Sequence, residues 1–268
     1  MGARALWRSN QRTEHVSNIV TVTLHKPVSS RIRLEFKSPE LRSQLKNLCD
    51  KTLERFRDFP AGKLLCYFDD DNPKWLQQQF GEFAGIHVPI IGGGVWPRYV
   101  EAYFFDYSSG KFAFDNLIYI PETKYTQDKV SFVIIFAHEL QHFVQSGYSQ
   151  KVVLANILLF QNLARWNPNT ELKPWGLPQN REAMIVAKQV AEAVCGPELV
   201  RRFIDAQIVD GKNANNVSKV QMWQWAATIS PSTSYDLCKE TDVLVRQYRQ
   251  QLIKLKSKVD FSKPKWWL

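Results

Sequence analysis

Five consecutive residues, His138-Glu139-Leu140-Gln141-His142, carry the most specific chemistry in the chain. On an α-helix, positions four apart differ by only about 40° around the axis, so two imidazoles spaced this way point in one direction, a turn apart. Neutral imidazoles so arranged can share one Zn²⁺ at about 2.0–2.1 Å each. Glu139 lies beside them, where a carboxylate can take a proton from a water made acidic by the metal without itself being a ligand. The competing reading is a pair of hydrogen-bonded core histidines. Context favours the metal. Phe132, Val133, Ile134, Ile135, Phe136 and Ala137 precede the motif, and Phe143 and Val144 follow it. The spacing predicts a helix over 130–147 that is apolar nearly all round and therefore central. Two imidazoles and a carboxylate left unpaired inside it would be costly, and one metal with its water satisfies all three.

The motif resembles that of the zincin metallopeptidases, in which His-Glu-x-x-His supplies two zinc ligands and the general base. The resemblance covers residues 137–145 and, more loosely, the segment around Glu182. It implies a zinc-dependent metallopeptidase with His138 and His142 as ligands, Glu139 as catalytic base, zinc as cofactor and a peptide or protein as substrate. A catalytic zinc usually has three protein ligands and one open position. Positions 148 and 149 are Tyr and Ser, so the third histidine of the metzincins is missing. The gluzincin pattern, with a Glu from a later helix, fits Glu182. Its predicted helix face also carries Ile185, Val186, Gln189, Val190 and Ala193, and a carboxylate on so apolar a stripe requires a strong partner. Glu192 and Glu198 are the next alternatives, while Glu171 falls in a loop. There is one departure: some gluzincins carry the ligand in Glu-x-x-Ala, which here falls on Asn180. His87, Tyr148 and Tyr235 are available to stabilise an oxyanion, with nothing in the sequence to choose among them.

The elements that must position this site run from strands to helices. Residues 18–25 and 31–36 alternate as a hairpin, and 63–68 form a short strand. Ser38-Pro39-Glu40 starts a helix whose stripe is Leu41, Leu45, Leu48, Cys49 and Phe56. Asp69-Asp70-Asp71-Asn72 lacks the ligand pattern of an EF-hand loop and reads as a turn before a helix to about Phe83. Gly92-Gly93-Gly94, with no following Gly-Lys-Ser/Thr, is a turn as well. Residues 98–107 and 111–120 predict a second hairpin, closed by Ser108-Ser109-Gly110. In zincins an edge strand just before the motif helix binds the substrate peptide; the resemblance implies this role for part of 112–120, by β-augmentation. A strand paired on both sides is the open alternative. Helices follow at 152–166, 178–194, 197–209, 217–229 and 235–259. The expectation is an α+β fold, zincin-like, with a mixed or antiparallel N-terminal sheet, the active-site helix and a helical C-terminal half. One domain spans 1–268: sheet-rich to 125, helical over 126–259, with a basic and aromatic tail over 260–268.

Composition limits the partners. The 268 residues are 44% hydrophobic, with 35 Lys plus Arg against 26 Asp plus Glu, a net charge of +9. Cys49, Cys66, Cys195 and Cys238 form no C-x-x-C pair and read as isolated reduced thiols. Met1 to Val16 has no apolar signal core, and no apolar run is long enough for a bilayer. A soluble cytoplasmic protein without membrane contact is the expectation. Arg246, Arg249, Lys254, Lys256, Lys258, Lys263 and Lys265 crowd the end with Trp266 and Trp267. They form either a solvated basic helix face or a salt-sensitive surface for nucleic acid. A zincin-fold regulator and a zinc hydrolase of a non-peptide amide are the two alternatives to a peptidase. Oligomeric state is not encoded in any pattern seen.

Overall fold

A computed structural model describes residues 31–68, 86–89, 105–106, 111–112, 114–120, 128–149, 152, 155, 156, 159 and 173–250. The expected strand at 18–25, the turns at 69–72 and 92–94, Glu171, most of the 152–166 helix and the tail beyond 250 lie outside them.

Two sheets and six helices are described. Strand β1 (Ile32–Phe36) leads into α1 (Pro39–Leu53), then β2 (Leu64–Phe68), β3 (Ile86–Pro89), β4 (Phe105–Asp106), β5 (Lys111–Phe112) and β6 (Asn116–Ile120). Helices α2 (Lys129–Ser146), α3 (Pro178–Cys195), α4 (Pro197–Asn213), α5 (Val217–Thr228) and α6 (Leu237–Gln247) follow. The α+β class holds, as does the order of sheet first and helices after. Helix α1 starts as its sequence dictates: Ser38 caps it, accepting from the Leu41 N–H at 3.1 Å, with Pro39 in the first turn.

The sheet is mixed, one of the two forms expected, but residues 111–120 do not form one arm of a hairpin. Its order is β1-β2-β6-β3, with β1, β2 and β6 parallel and only β3 antiparallel. Of the 98–107/111–120 hairpin, the described residues show β4 against β5, pairing Phe105 with Phe112 and Asp106 with Lys111. After β5 the chain leaves that pairing and enters the main sheet as β6. Strand β6 is therefore paired on both sides, by β2 and β3, and the edge role expected for part of 112–120 does not fall on it. Among the described strands β3 is the edge on that side. Burial explains the difference: every residue of β6 is buried, as suits a central strand covered on both faces.

One face of the sheet builds the main core. Leu64, Cys66, Phe68, Ile118 and Ile120 meet Leu41, Leu45 and Cys49 of α1 and Phe132, Phe136 and Leu140 of α2. Phe68 takes Phe136 edge-on at 5.3 Å, and Phe132 stacks on Phe136 at 5.9 Å. All four cysteines are free, with Cys49 and Cys66 buried in this core. Helix α2 also packs along α3 more extensively than any other pair of described elements. Its start is capped by Asp128, which accepts from Val130 and Ser131 at 2.9 and 3.3 Å. Its end is fixed by a close approach: a Cβ on Gly147 would stand 2.7 Å from Cβ of Pro60. Gly147→Ala is therefore expected to destabilise the protein by about 1–3 kcal/mol, the range for overpacking. Urea denaturation reads this, and an unchanged midpoint would refute the contact.

Candidate metal centre

The middle of α2 is both central and polar. His138, Gln141, His142 and Gln145 fall on one stripe of the helix, at the three- and four-residue spacing that lines up neighbouring turns. The two imidazoles meet edge to face, 86° apart, with Nε2 to Nε2 at 3.0 Å. Glu139 is buried beside them. Burial holds the His138 pKa well below the usual imidazole range, and His142 adds to the effect. Burial lowers His142 as well, against opposing hydrogen bonds from Gln145 and Asn180. Both rings are thus neutral near pH 7, the state a metal requires.

The tautomer of His142 follows from its neighbours. The Gln145 amide nitrogen donates to the Gln179 carbonyl at 2.9 Å and to Glu182 Oε2 at 2.8 Å. Its oxygen therefore faces His142 Nδ1, 2.8 Å away, and can only accept. Nδ1 carries the proton and Nε2 presents its lone pair to His138. The donor pair fits a metal: tetrahedral bonds of about 2.0–2.1 Å would separate two nitrogens by about 3.3–3.4 Å, a few tenths more than the pair now stands. His138 Nδ1 is buried with no hydrogen-bond partner.

Glu182 is on α3, as expected, and only 3% exposed. Its carboxylate is engaged by the glutamine row instead. Oε2 accepts from Gln141 at 3.0 Å and from Gln145 at 2.8 Å, and the Tyr148 hydroxyl donates weakly to both oxygens at 3.4 and 3.5 Å. Burial raises the Glu182 pKa, with those three hydrogen bonds opposing. Among the described residues no group of three His, Cys, Asp or Glu side chains is gathered as a metal cluster, so Glu182 stands one residue removed from the pair. The other acids are occupied elsewhere. Lys188 holds Glu192 at 2.6 Å, and Arg201 holds Glu198 at 2.9 Å on the surface. Tyr148 faces Glu182, Tyr235 packs on the main core, and the side chain of His87 on β3 is outside the described atoms.

A cavity of about 210 Å³ opens beside His138, lined by Trp175, Asn180, Met184, Met222 and Trp225. Trp175 and Trp225 lie 6.4 Å apart, Trp175 is anchored through its indole N–H to Ser218 at 3.0 Å, and the Arg181 guanidinium lies over both rings. The loop after α5 is tied to α3 by Lys188, which donates to the Ile229 carbonyl at 2.6 Å, and by Gln189, which donates to Ser230 and Thr233 carbonyls at 3.0 and 2.9 Å. Sequence reasoning singled out neither Gln141, Gln145 nor this cavity. The readable signal was two glutamines repeating the four-residue step of the histidines on an otherwise apolar helix.

No protein-family model matches the chain, and no significant match to it was found among curated proteins or solved structures.

Gln145→Leu removes a donor from a buried carboxylate and the acceptor of His142. A loss of about 1–3 kcal/mol is expected, the cost of leaving such groups unsatisfied. Denaturation of the metal-free protein measures it, and wild-type stability in this variant would refute the network.

Proposed function

We propose that the chain is a zinc-dependent hydrolase of the zincin type, acting on peptide bonds. The observation that carries this reading is the convergence of two neutral imidazole Nε2 atoms, 3.0 Å apart, on a buried helix with Glu139 alongside. His138 and His142 would hold the metal. Bound zinc supplies Lewis acidity, polarising the scissile carbonyl and making a water acidic at neutral pH. Glu139 takes the proton of the attacking water and passes it to the leaving amine. Gln145 fixes the ring of His142, and Glu182 holds Gln145 in turn, a chain of the kind that orients metal-bound imidazoles.

Two features support a peptide substrate. Strand β3, which touches α2, offers an edge among the described strands to which an extended peptide could add. The cavity at His138, walled by two tryptophans and two methionines, suits a bulky apolar side chain. The second reading is a zincin-fold binding or regulatory protein with weak or no hydrolysis. It is favoured by the gathering of only two metal-type ligands among the described residues. Hydrolysis of a non-peptide amide uses the same groups and is separated by substrate choice.

The purified protein is expected to take up about one Zn²⁺ per chain, lost in His138→Ala and in His142→Ala. Undiminished zinc in both variants would end the metal reading. Glu139→Gln is expected to keep metal and fold while losing hydrolysis by at least about a hundredfold. Full activity there would remove Glu139 as the base, and no activity in the wild type across peptide libraries would favour the binding protein.

A further inference from the structure

We infer that in the metal-free protein the two imidazoles hold opposed tautomers, His142 protonated on Nδ1 and His138 on Nε2, and that Gln145 is the positioning residue that sets them. The tautomers follow from the hydrogen bonds alone; their consequence for a metal rests on the reading above. The chain of bonds begins on α3, at two groups that accept, the Gln179 carbonyl and the Glu182 carboxylate. They take both protons of the Gln145 amide nitrogen, at 2.9 and 2.8 Å, so the Gln145 oxygen accepts from His142 Nδ1 at 2.8 Å. A neutral imidazole carries one proton, and that bond uses it. His142 Nε2 is then bare, and it stands 3.0 Å from Nε2 of His138. A proton on the His138 nitrogen makes this an N–H···N bond. The opposite choice would set two lone pairs against each other. It would also leave a buried donor on His138 Nδ1, which has no hydrogen-bond partner.

The two rings are therefore unequal as ligands. Both would offer Nε2 to a shared cation, because those are the atoms that converge. His142 already presents a lone pair there and is held from behind by Gln145, as metal-bound imidazoles are. His138 must first give its Nε2 proton to water and take one from water at Nδ1, leaving its charge unchanged. At Nδ1 that proton meets no acceptor among the described residues. The bond that satisfies the pair without metal thus opposes metal uptake, and the opposition falls on His138. Gln145 acts only through His142, by fixing its tautomer and its ring.

The test is nitrogen-15 NMR of the full chain with labelled histidine, whose two-bond nitrogen–proton couplings report which ring nitrogen bears the proton. Signals are assigned through those lost in His138→Ala and His142→Ala. The metal-free wild type is expected to show His142 as the Nδ1–H form and His138 as the Nε2–H form. Zinc is expected to move the His138 proton to Nδ1 and to leave the His142 pattern unchanged. Gln145→Leu, its fold checked by circular dichroism, is expected to leave His142 in a mixture of tautomers. It is also expected to weaken zinc by about tenfold or more, read by competition with a chromophoric chelator. If that variant does not fold, the wild-type spectra alone decide. A metal-free wild type with the His142 proton on Nε2, or the His138 proton on Nδ1, would overturn the inference whatever zinc does. Wild-type tautomers and zinc affinity in Gln145→Leu would remove Gln145 as the positioning residue. If the tautomers are as stated and no zinc is taken up, the metal reading falls while the hydrogen-bonded pair stands.

Discussion

A polar stripe on a helix that is otherwise apolar all round is the constraint on which the arrangement turns. Helix α2 is in the core because Phe132, Val133, Phe136, Leu140 and Phe143 demand it, and that burial takes His138, Glu139, Gln141, His142 and Gln145 inside as well. Each such group costs about 1–3 kcal/mol if left without a partner, so the second helix had to be complementary. Helix α3 meets the requirement with Glu182 and the Gln179 carbonyl, and the two helices become each other's principal neighbour. The polar seam fixes their register; the apolar residues around it supply the driving force.

The rest of the molecule holds that pair in place. The sheet covers one side of α2 through Phe68, Ile118 and Ile120, and α1 closes over it. On the far side, Lys188 and Gln189 of α3 reach across to the carbonyls of residues 229–233, anchoring the loop between α5 and α6. The cavity at His138 is lined by Trp175 and Trp225, with Arg181 across both rings, and by Met184 and Met222. Methionine suits such a wall because its flexible thioether adapts to different apolar shapes.

Much of this was legible in the sequence where local chemistry decides. Ser38-Pro39 set the start of α1, Pro178 and Pro197 the starts of α3 and α4, and the four-residue step of His138 and His142 their convergence. The sheet was less legible. Ser108-Ser109-Gly110 does lie between two antiparallel strands, but turn chemistry does not say that 116–120 pairs elsewhere, with β2 and β3. The pairing of β6 with β2 depends on burying both of its faces, a tertiary outcome with no local mark. The site divides the same way. Imidazoles and a carboxylate at fixed spacing announce chemistry, whereas Asn180, Gln141 and Gln145 are neutral amides that could serve anywhere. Glu182 was legible as a buried acid on an apolar face, but not for which of the polar residues of α2 it would turn towards.

The direction in which Glu182 turns has a physical reason that bears on the charge of the whole seam. Two acids, Glu139 and Glu182, are buried there at 7% and 3% exposure. Burial penalises the charged form of a carboxylate, so Glu182 needs donors around it. Two glutamine amides and a tyrosine hydroxyl can stabilise Glu182 without adding charge of their own, and they keep it on the far side of Gln145 from His142.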